Sequence, residues 1–235
     1  MPGVRERRFF PKPGVPVLRL LFGFFMKNNI VIIDYEMGNL RSVAKAFEKL
    51  GFSARVSSDP ADIPGADKIV LPGVGAFRDC IGNLRSGGFV EPLLAHVEQE
   101  KPLLGICVGM QMLFDESEEF GRYQGLGLLP GKVRRFPLDM EEGGERLKVP
   151  HMGWNTIEFN PETPLFNHVD QQSYVYFVHS YYCDAEDSTV VAATCRYGNI
   201  EFCAAARKGN LMATQFHPEK SQAIGLQIFK NFGEI

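Results

Sequence analysis

Leu103-Leu104-Gly105-Ile106-Cys107-Val108-Gly109 decides how the rest of this sequence is read. Leu103 to Ile106 is a short apolar run of the kind that forms a strand buried on both faces, and Met110 to Phe114 opens a helical pattern. The G-x-C-x-G word therefore lies where a buried strand turns sharply into a helix, the nucleophile-elbow arrangement with cysteine in place of serine. The flanking glycines let the backbone turn without side-chain clashes and hold the sulfur clear of the sheet, while the helix N-terminus stabilises a thiolate. Small cysteines beside packing glycines also occur in ordinary cores, so the elbow alone does not establish a nucleophile.

Outward from the elbow, strands and helices alternate. Ile30-Val31-Ile32-Ile33 reads as the first strand. Leu40, Val43, Ala44, Phe47 and Leu50 form one helical face with Asn39 as cap and Gly51 as stop. Phe52 to Val56 and Lys68 to Leu71 read as strands, the latter running into Pro72-Gly73-Val74-Gly75, a turn too rich in glycine and proline to continue either element. A helical stretch around Phe89 to Gln99 precedes the elbow strand. Beyond about Gly125 the pattern changes to strand-like runs at Val149 to Phe159, Tyr174 to Tyr182, Val190 to Cys195, Phe202 to Arg207 and Leu211 to Phe216. Glu141 to Glu145 reads as an exposed loop, and Ser221 to Phe232 as a closing helix with Ser221 as cap and Ile224, Ile228 and Phe232 on one face. The expected fold is α/β: a mainly parallel central sheet flanked by helices, an antiparallel extension, and a site at the carboxyl ends of the strands.

Composition bounds the function. With 235 residues, 45% apolar and 23% charged, the chain has room for one full core and the balance of a globular protein. A net charge of −3 leaves no electrostatic footprint for nucleic acid. The five scattered cysteines show no C-x-x-C spacing, which predicts no metal site and a reducing cytoplasm. No apolar run is long enough to span a bilayer, so no membrane association is expected. Residues 1–25 place Arg5, Arg7, Arg8 and Lys12 ahead of an apolar stretch from Val15 to Phe25, but Arg19 interrupts it and no small-x-small cleavage site follows. They are read as an N-terminal extension, disordered or an over-extended start ahead of Met26 that adds nothing to fold or activity, with one domain over 26–235.

His217-Pro218-Glu219, just after an apolar run, supplies what a cysteine nucleophile needs: an imidazole to take and return a proton, and a carboxylate to fix its tautomer. An H-P-E tripeptide alone is weak evidence. Two half-sites at two strand ends are stronger than either. Gly73 and Val74 in the Pro72 to Gly75 turn, with the amide of Val108, are the candidate oxyanion donors.

The words Asp34 to Val43 (DYEMGNLRSV), Pro72 to Phe77 (PGVGAF), Gly105 to Gln111 (GICVGMQ), Pro150 to Asn155 (PHMGWN), Tyr176 to Tyr181 (YFVHSY) and His217 to Ser221 (HPEKS) resemble those of the triad glutaminases of the class I amidotransferases. Within that family they are most similar to the glutaminase subunits of imidazole glycerol phosphate synthase in histidine biosynthesis. The resemblance covers the chain from about Ile30 to its end; Glu36 stands where the family has glycine, and Val108 where it has leucine. It implies a glutamine amidotransferase domain over 26–235 that hydrolyses L-glutamine through Cys107, His217 and Glu219 with no cofactor. Gly75, Gln111, Ser180 and Tyr181 would hold the amino-acid end of glutamine, and Trp154, Tyr176 and Lys220 would face the partner. That partner would be a (βα)8 cyclase in a heterodimer, using the ammonia to convert phosphoribulosyl-formimino-AICAR phosphate to imidazole glycerol phosphate and AICAR. A glutaminase of another pathway, a stand-alone γ-glutamyl hydrolase and a non-catalytic thiol sensor are the rival readings. His151 and His179 are read as structural hydrogen-bonders.

Overall fold

The computed structural model describes residues 29–235, so the expectations for residues 1–25 and for a start at Met26 lie outside the described residues. The unbroken apolar run at the start becomes β1 (Ile30–Ile33), with all of its residues buried. Next comes α1 (Leu40–Lys49), which buries Val43 and Phe47. Asn39 caps it with its backbone rather than its side chain: its carbonyl accepts from Ser42 and Val43. The second strand, β2 (Ala54–Ser57), begins two residues later than expected because Phe52 instead packs edge-on against Phe47.

The strand β3 (Lys68–Gly73) continues through Pro72 and Gly73, correcting the expectation that it stops at Leu71. Proline is tolerated there because β1 pairs with β3 only as far as Val70, and the Pro72 carbonyl, on the side β1 has vacated, accepts a hydrogen bond from the Tyr35 hydroxyl at 2.6 Å. After β3 come α2 (Phe77–Ser86), a helix the sequence reading passed over, α3 (Val90–Glu98) and β4 (Leu103–Cys107).

The helix expected from Met110 to Phe114 is a single turn, α4 (Val108–Gln111), and Phe114 opens β5 (Phe114–Ser117). The carbonyls that would have carried the helix on are taken from outside: Met112 O by the Leu126 amide, and Leu113 O by those of Leu128 and Leu129. Short β6 (Tyr123–Gln124) and the longer β7 (Leu129–Arg135) follow. The expected loop at Glu141 to Glu145 is a small hairpin, β8 (Glu141–Glu142) against β9 (Glu145–Arg146). Gly143 and Gly144, at φ 61° and 85°, make the two-residue turn with positive φ at both central positions that hairpins favour.

The remaining strands are β10 (His151–Thr156), β11 (Glu158–Phe159), β12 (Tyr174–His179), β13 (Tyr181–Ala185), β14 (Val191–Tyr197), β15 (Ile200–Lys208) and β16 (Leu211–Thr214), before α5 (Gln222–Glu234). Ser221 precedes α5 without a side-chain cap, because its hydroxyl is spent on the His217 carbonyl and the Tyr176 amide.

Strands β2, β1, β3, β4 and β16 run parallel in that order, and β15, β13 and β7 extend the sheet antiparallel. Every residue of β1, β3, β4 and β16 is buried, which requires cover on both faces. On one of them α1 and α5 pack through Phe47 against Phe229, ring centroids 4.7 Å apart. The expected α/β class with an antiparallel extension is the class observed. Strands β10 and β12 pair as a separate two-stranded sheet, and the carboxyl ends of β3, β4 and β16 converge beneath it on the elbow.

Candidate active site

Cys107 ends β4 at φ 56° and ψ −112°, a strained conformation for a residue with a side chain, and stands immediately before the first turn of α4. Close packing holds it there. A Cβ on Gly109 would lie 1.9 Å from the Leu71 carbonyl oxygen, and one on Gly73 would lie 2.6 Å from the Gly109 amide nitrogen, so both glycines are required for the elbow to press against β3. The ladder places Gly73 directly beside Cys107. Because α4 is one turn long, the electrostatic help to the sulfur comes from its first amides rather than from the dipole of an extended helix.

From the end of β16, Gln215, Phe216 and His217 reach the same place. His217 Nδ1 lies 2.8 Å from Glu219 Oε1, both side chains being all but inaccessible to solvent. The other ring nitrogen, Nε2, is buried with no hydrogen-bond partner in this resting geometry, as is Glu219 Oε2. Burial opposes charge on His217, but the neighbouring Cys107 and then Glu219 outweigh it and raise the imidazole to about 10.

A cavity of about 270 Å³ opens over these groups, lined by Cys107, Val108 and His217, by Val74 and Gly75 beyond β3, and by Gln111, Ser180 and Tyr181. The structure thus brings together all the residues singled out for catalysis, oxyanion and substrate binding, with Gly73 just behind the wall. Val178, His179 and Glu119, given no role in the chemistry from the sequence, also line the cavity, and Gln215 lies behind its wall. Glu119 lines the cavity, accepts from the Phe77 amide at 2.6 Å, and is held above the usual carboxylate range chiefly by burial. Gln215, fully buried, donates to the Cys107 sulfur at 3.8 Å and accepts from Gln111 Nε2 at 3.1 Å. Gln215 lies two residues before His217, inside the run Leu211 to Phe216 read as a strand, which gave a signal for burial but none for its target.

Trp154, Tyr176 and Lys220 are not in the floor of the cavity. Trp154 and Tyr176 are a cross-strand pair on the outer face of β10 and β12, rings 6.0 Å apart and edge to face. Lys220 Nζ stands 5.6 Å over the Tyr176 ring and also reaches the cavity mouth. Met152 and Tyr174 extend the same face and are 64% and 61% exposed, a contiguous apolar surface of the kind that marks an interaction site. All five cysteines are free thiols, no helix of the described residues is long and apolar enough to cross a membrane, and no group of metal-ligating side chains occurs among them.

A strained cysteine elbow, a buried His-Glu pair and backbone amides on an open α/β sheet define a triad glutaminase, and the chain belongs to the class-I glutamine amidotransferase family, whose profile matches residues 31–234. Within it the chain falls among the HisH subunits of imidazole glycerol phosphate synthase. It is 64% identical over 206 residues to the Syntrophotalea carbinolica subunit, covering 88% of this chain and 100% of that one. The Geobacter sulfurreducens subunit is 62% identical over 88% of this chain and 98% of its own. A solved structure of PurLQS from Thermotoga maritima shares the fold at TM-score 0.68 and 20% identity, over 88% of this chain and 98% of that one.

Proposed function

We propose that this chain is the glutaminase subunit of an imidazole glycerol phosphate synthase, hydrolysing L-glutamine to glutamate and ammonia through Cys107, His217 and Glu219. The observation that carries the chemistry is the placement of His217, whose Nδ1 is tied to Glu219 while its buried Nε2 is left for a proton beside Cys107. With the thiol proton held on Nε2, as the raised imidazole demands, the sulfur bonds to the side-chain amide carbon of glutamine. The amides of Val74 and Val108, presented by the Gly73 turn and the elbow, meet the negative charge on the oxygen. Collapse of this adduct expels ammonia with the proton from His217, and water then cleaves the γ-glutamyl thioester.

Gly75, Ser180 and Tyr181 hold the amino-acid end of the substrate. Gln111 Nε2 is committed to Tyr181 O and Gln215, so Gln111 offers the substrate its oxygen, an acceptor suited to the α-ammonium group. Glu119 supplies the opposing charge. Trp154, Tyr176 and Lys220 dock a (βα)8 cyclase as a heterodimer, which receives the ammonia and forms imidazole glycerol phosphate and AICAR in the cytoplasm. Identity to HisH subunits along nearly their whole length favours this reading over a glutaminase of another pathway or a stand-alone γ-glutamyl hydrolase.

The test is Cys107→Ala, assayed in complex with the cyclase. Glutamine-dependent synthesis should vanish and ammonium-dependent synthesis remain. Residual glutaminase activity, or loss of both reactions, would overturn the assignment.

A further inference from the structure

His151 and His179 stand in the middle of an unbroken series of hydrogen bonds that ends on the Cys107 sulfur. They face each other across β10 and β12 on the inner side of that two-stranded sheet, opposite to Trp154 and Tyr176. The rings lie among Phe136, Phe177, Tyr197 and Phe202, with His151 stacked on Tyr197 at 4.1 Å.

The direction of each bond follows from groups that can only donate or only accept. The Asn155 amide is oriented by the Thr156 N–H on its oxygen and by the Arg196 carbonyl on its nitrogen, so Nδ2 is what it turns to His151 Nε2, at 3.3 Å. His151 Nε2 therefore accepts, and Nδ1 carries the hydrogen donated to His179 Nε2 at 3.0 Å. His179 Nδ1 in turn donates to the Tyr181 carbonyl at 2.8 Å, which can only accept. The two ends require the same tautomer at both rings. Burial, which lowers His151 to about 4 and His179 to about 3, keeps both neutral as that order demands.

The Tyr181 carbonyl also takes Gln111 Nε2 at 3.1 Å, and the same nitrogen donates to Gln215 Oε1, leaving Gln215 Nε2 directed at the Cys107 sulfur. We propose that His151 and His179 are positioning residues of the glutaminase site, holding the Tyr181 carbonyl and, through Gln111, the Gln215 amide that steadies the Cys107 sulfur. The proposal rests on Cys107 being the nucleophile. Without the pair, Tyr181 O loses a donor, Gln111 can rotate, and Gln215 no longer presents N–H to the sulfur. One end of the series sits on the strand that carries Trp154, so a shift of that two-stranded sheet reaches the nucleophile through bonds of fixed direction.

The test is glutamate release by the full chain with its synthase partner. His179→Phe keeps a ring in the aromatic surroundings but removes both bonds. It should lower kcat by roughly tenfold, with a smaller change in KM. Gln215→Leu should act alike, and the double variant should fall no further than the weaker single one, since both break one series. His179→Asn, whose amide nitrogen replaces Nδ1, should recover part of the loss. An unchanged kcat in His179→Phe, or losses that multiply in the double variant, would overturn the proposal. Nitrogen-15 spectra of the unmodified protein give a second check that needs no variant: both rings should be neutral with hydrogen on Nδ1, and the opposite tautomer at either would defeat it. Cys107→Ala run in parallel separates the outcomes, because residual glutaminase activity there would strike the nucleophile assignment itself.

Discussion

His217 Nδ1 and Glu219 Oε1 meet at 2.8 Å although both side chains have been withdrawn almost entirely from water, with relative accessibilities of 2% and 1%. Pro218 opens the short 3-10 turn Pro218–Lys220 that folds the carboxylate back under the ring. A buried ion pair of this kind is weak evidence of stability in itself, since desolvation offsets the attraction, and its consequence is instead for proton affinity and ring orientation.

The pH dependence follows. His217 is raised to about 10 in the folded chain, against about 6.5 for a free imidazole. Its stabilising contribution is complete below the lower value and is lost as pH climbs through the higher one. The melting temperature should therefore fall across this window, and Glu219→Gln, which removes part of what raises the ring, should flatten the fall. Thermal denaturation at matched ionic strength checks this; parallel slopes for the two proteins would count against it.

Gly73 and Gly75 flank Val74, and Gly75 sits at φ 93°. Peptide planes beside glycine rotate at little steric cost. An amide of Val74 turned from the cavity leaves one oxyanion donor missing, a loss of roughly 100- to 1,000-fold in rate. The subunit alone should be a poor glutaminase, stimulated by the cyclase and further by the cyclase with a substrate or product analogue. Glutamate release in the three conditions measures it, and full activity of the subunit alone would refute the gating.

Trp154 is 44% exposed and rests edge-on against Tyr176. Exposed aromatics of this kind are the usual anchors of interfaces. Trp154→Ala should weaken cyclase binding by about 2 kcal/mol, near 30-fold in Kd by calorimetry, while the melting temperature of the free subunit barely moves. Equal affinity for the two proteins would move the docking face elsewhere.

Gly109 and Gly82 make a matched pair. Gly109→Ala would drive a methyl group into the Leu71 carbonyl and force β3 from the elbow, costing about 3 kcal/mol and most of the activity. Gly82 lies within α2 with nothing near a Cβ, so Gly82→Ala should stabilise by about 0.5 to 1 kcal/mol. Denaturant titrations of both variants test the contrast.

Glu36, which stands where the family has glycine, adopts φ 70°, a conformation that costs a glutamate more than a glycine and that the sequence left open. Local reading also missed α2, although Phe77, Cys80, Ile81 and Leu84 keep helical spacing and are all buried.

Strand-length apolar runs, a cysteine between glycines and an imidazole two residues from a carboxylate are local signals, and together they determined the parallel core and pointed to the candidate triad, because each lies within a few residues. Only the tertiary structure decided that β3 runs on through Pro72, that α4 stops after one turn, that Glu119 lines the cavity and that Gln215 meets the Cys107 sulfur. The Phe77 amide and Glu119 are 42 residues apart and Gln215 and Cys107 are 108 apart, so no periodicity in the chain records those contacts. They exist because backbone groups left open by one element, and buried polar side chains that must find partners, are satisfied by whatever the sheet brings beside them.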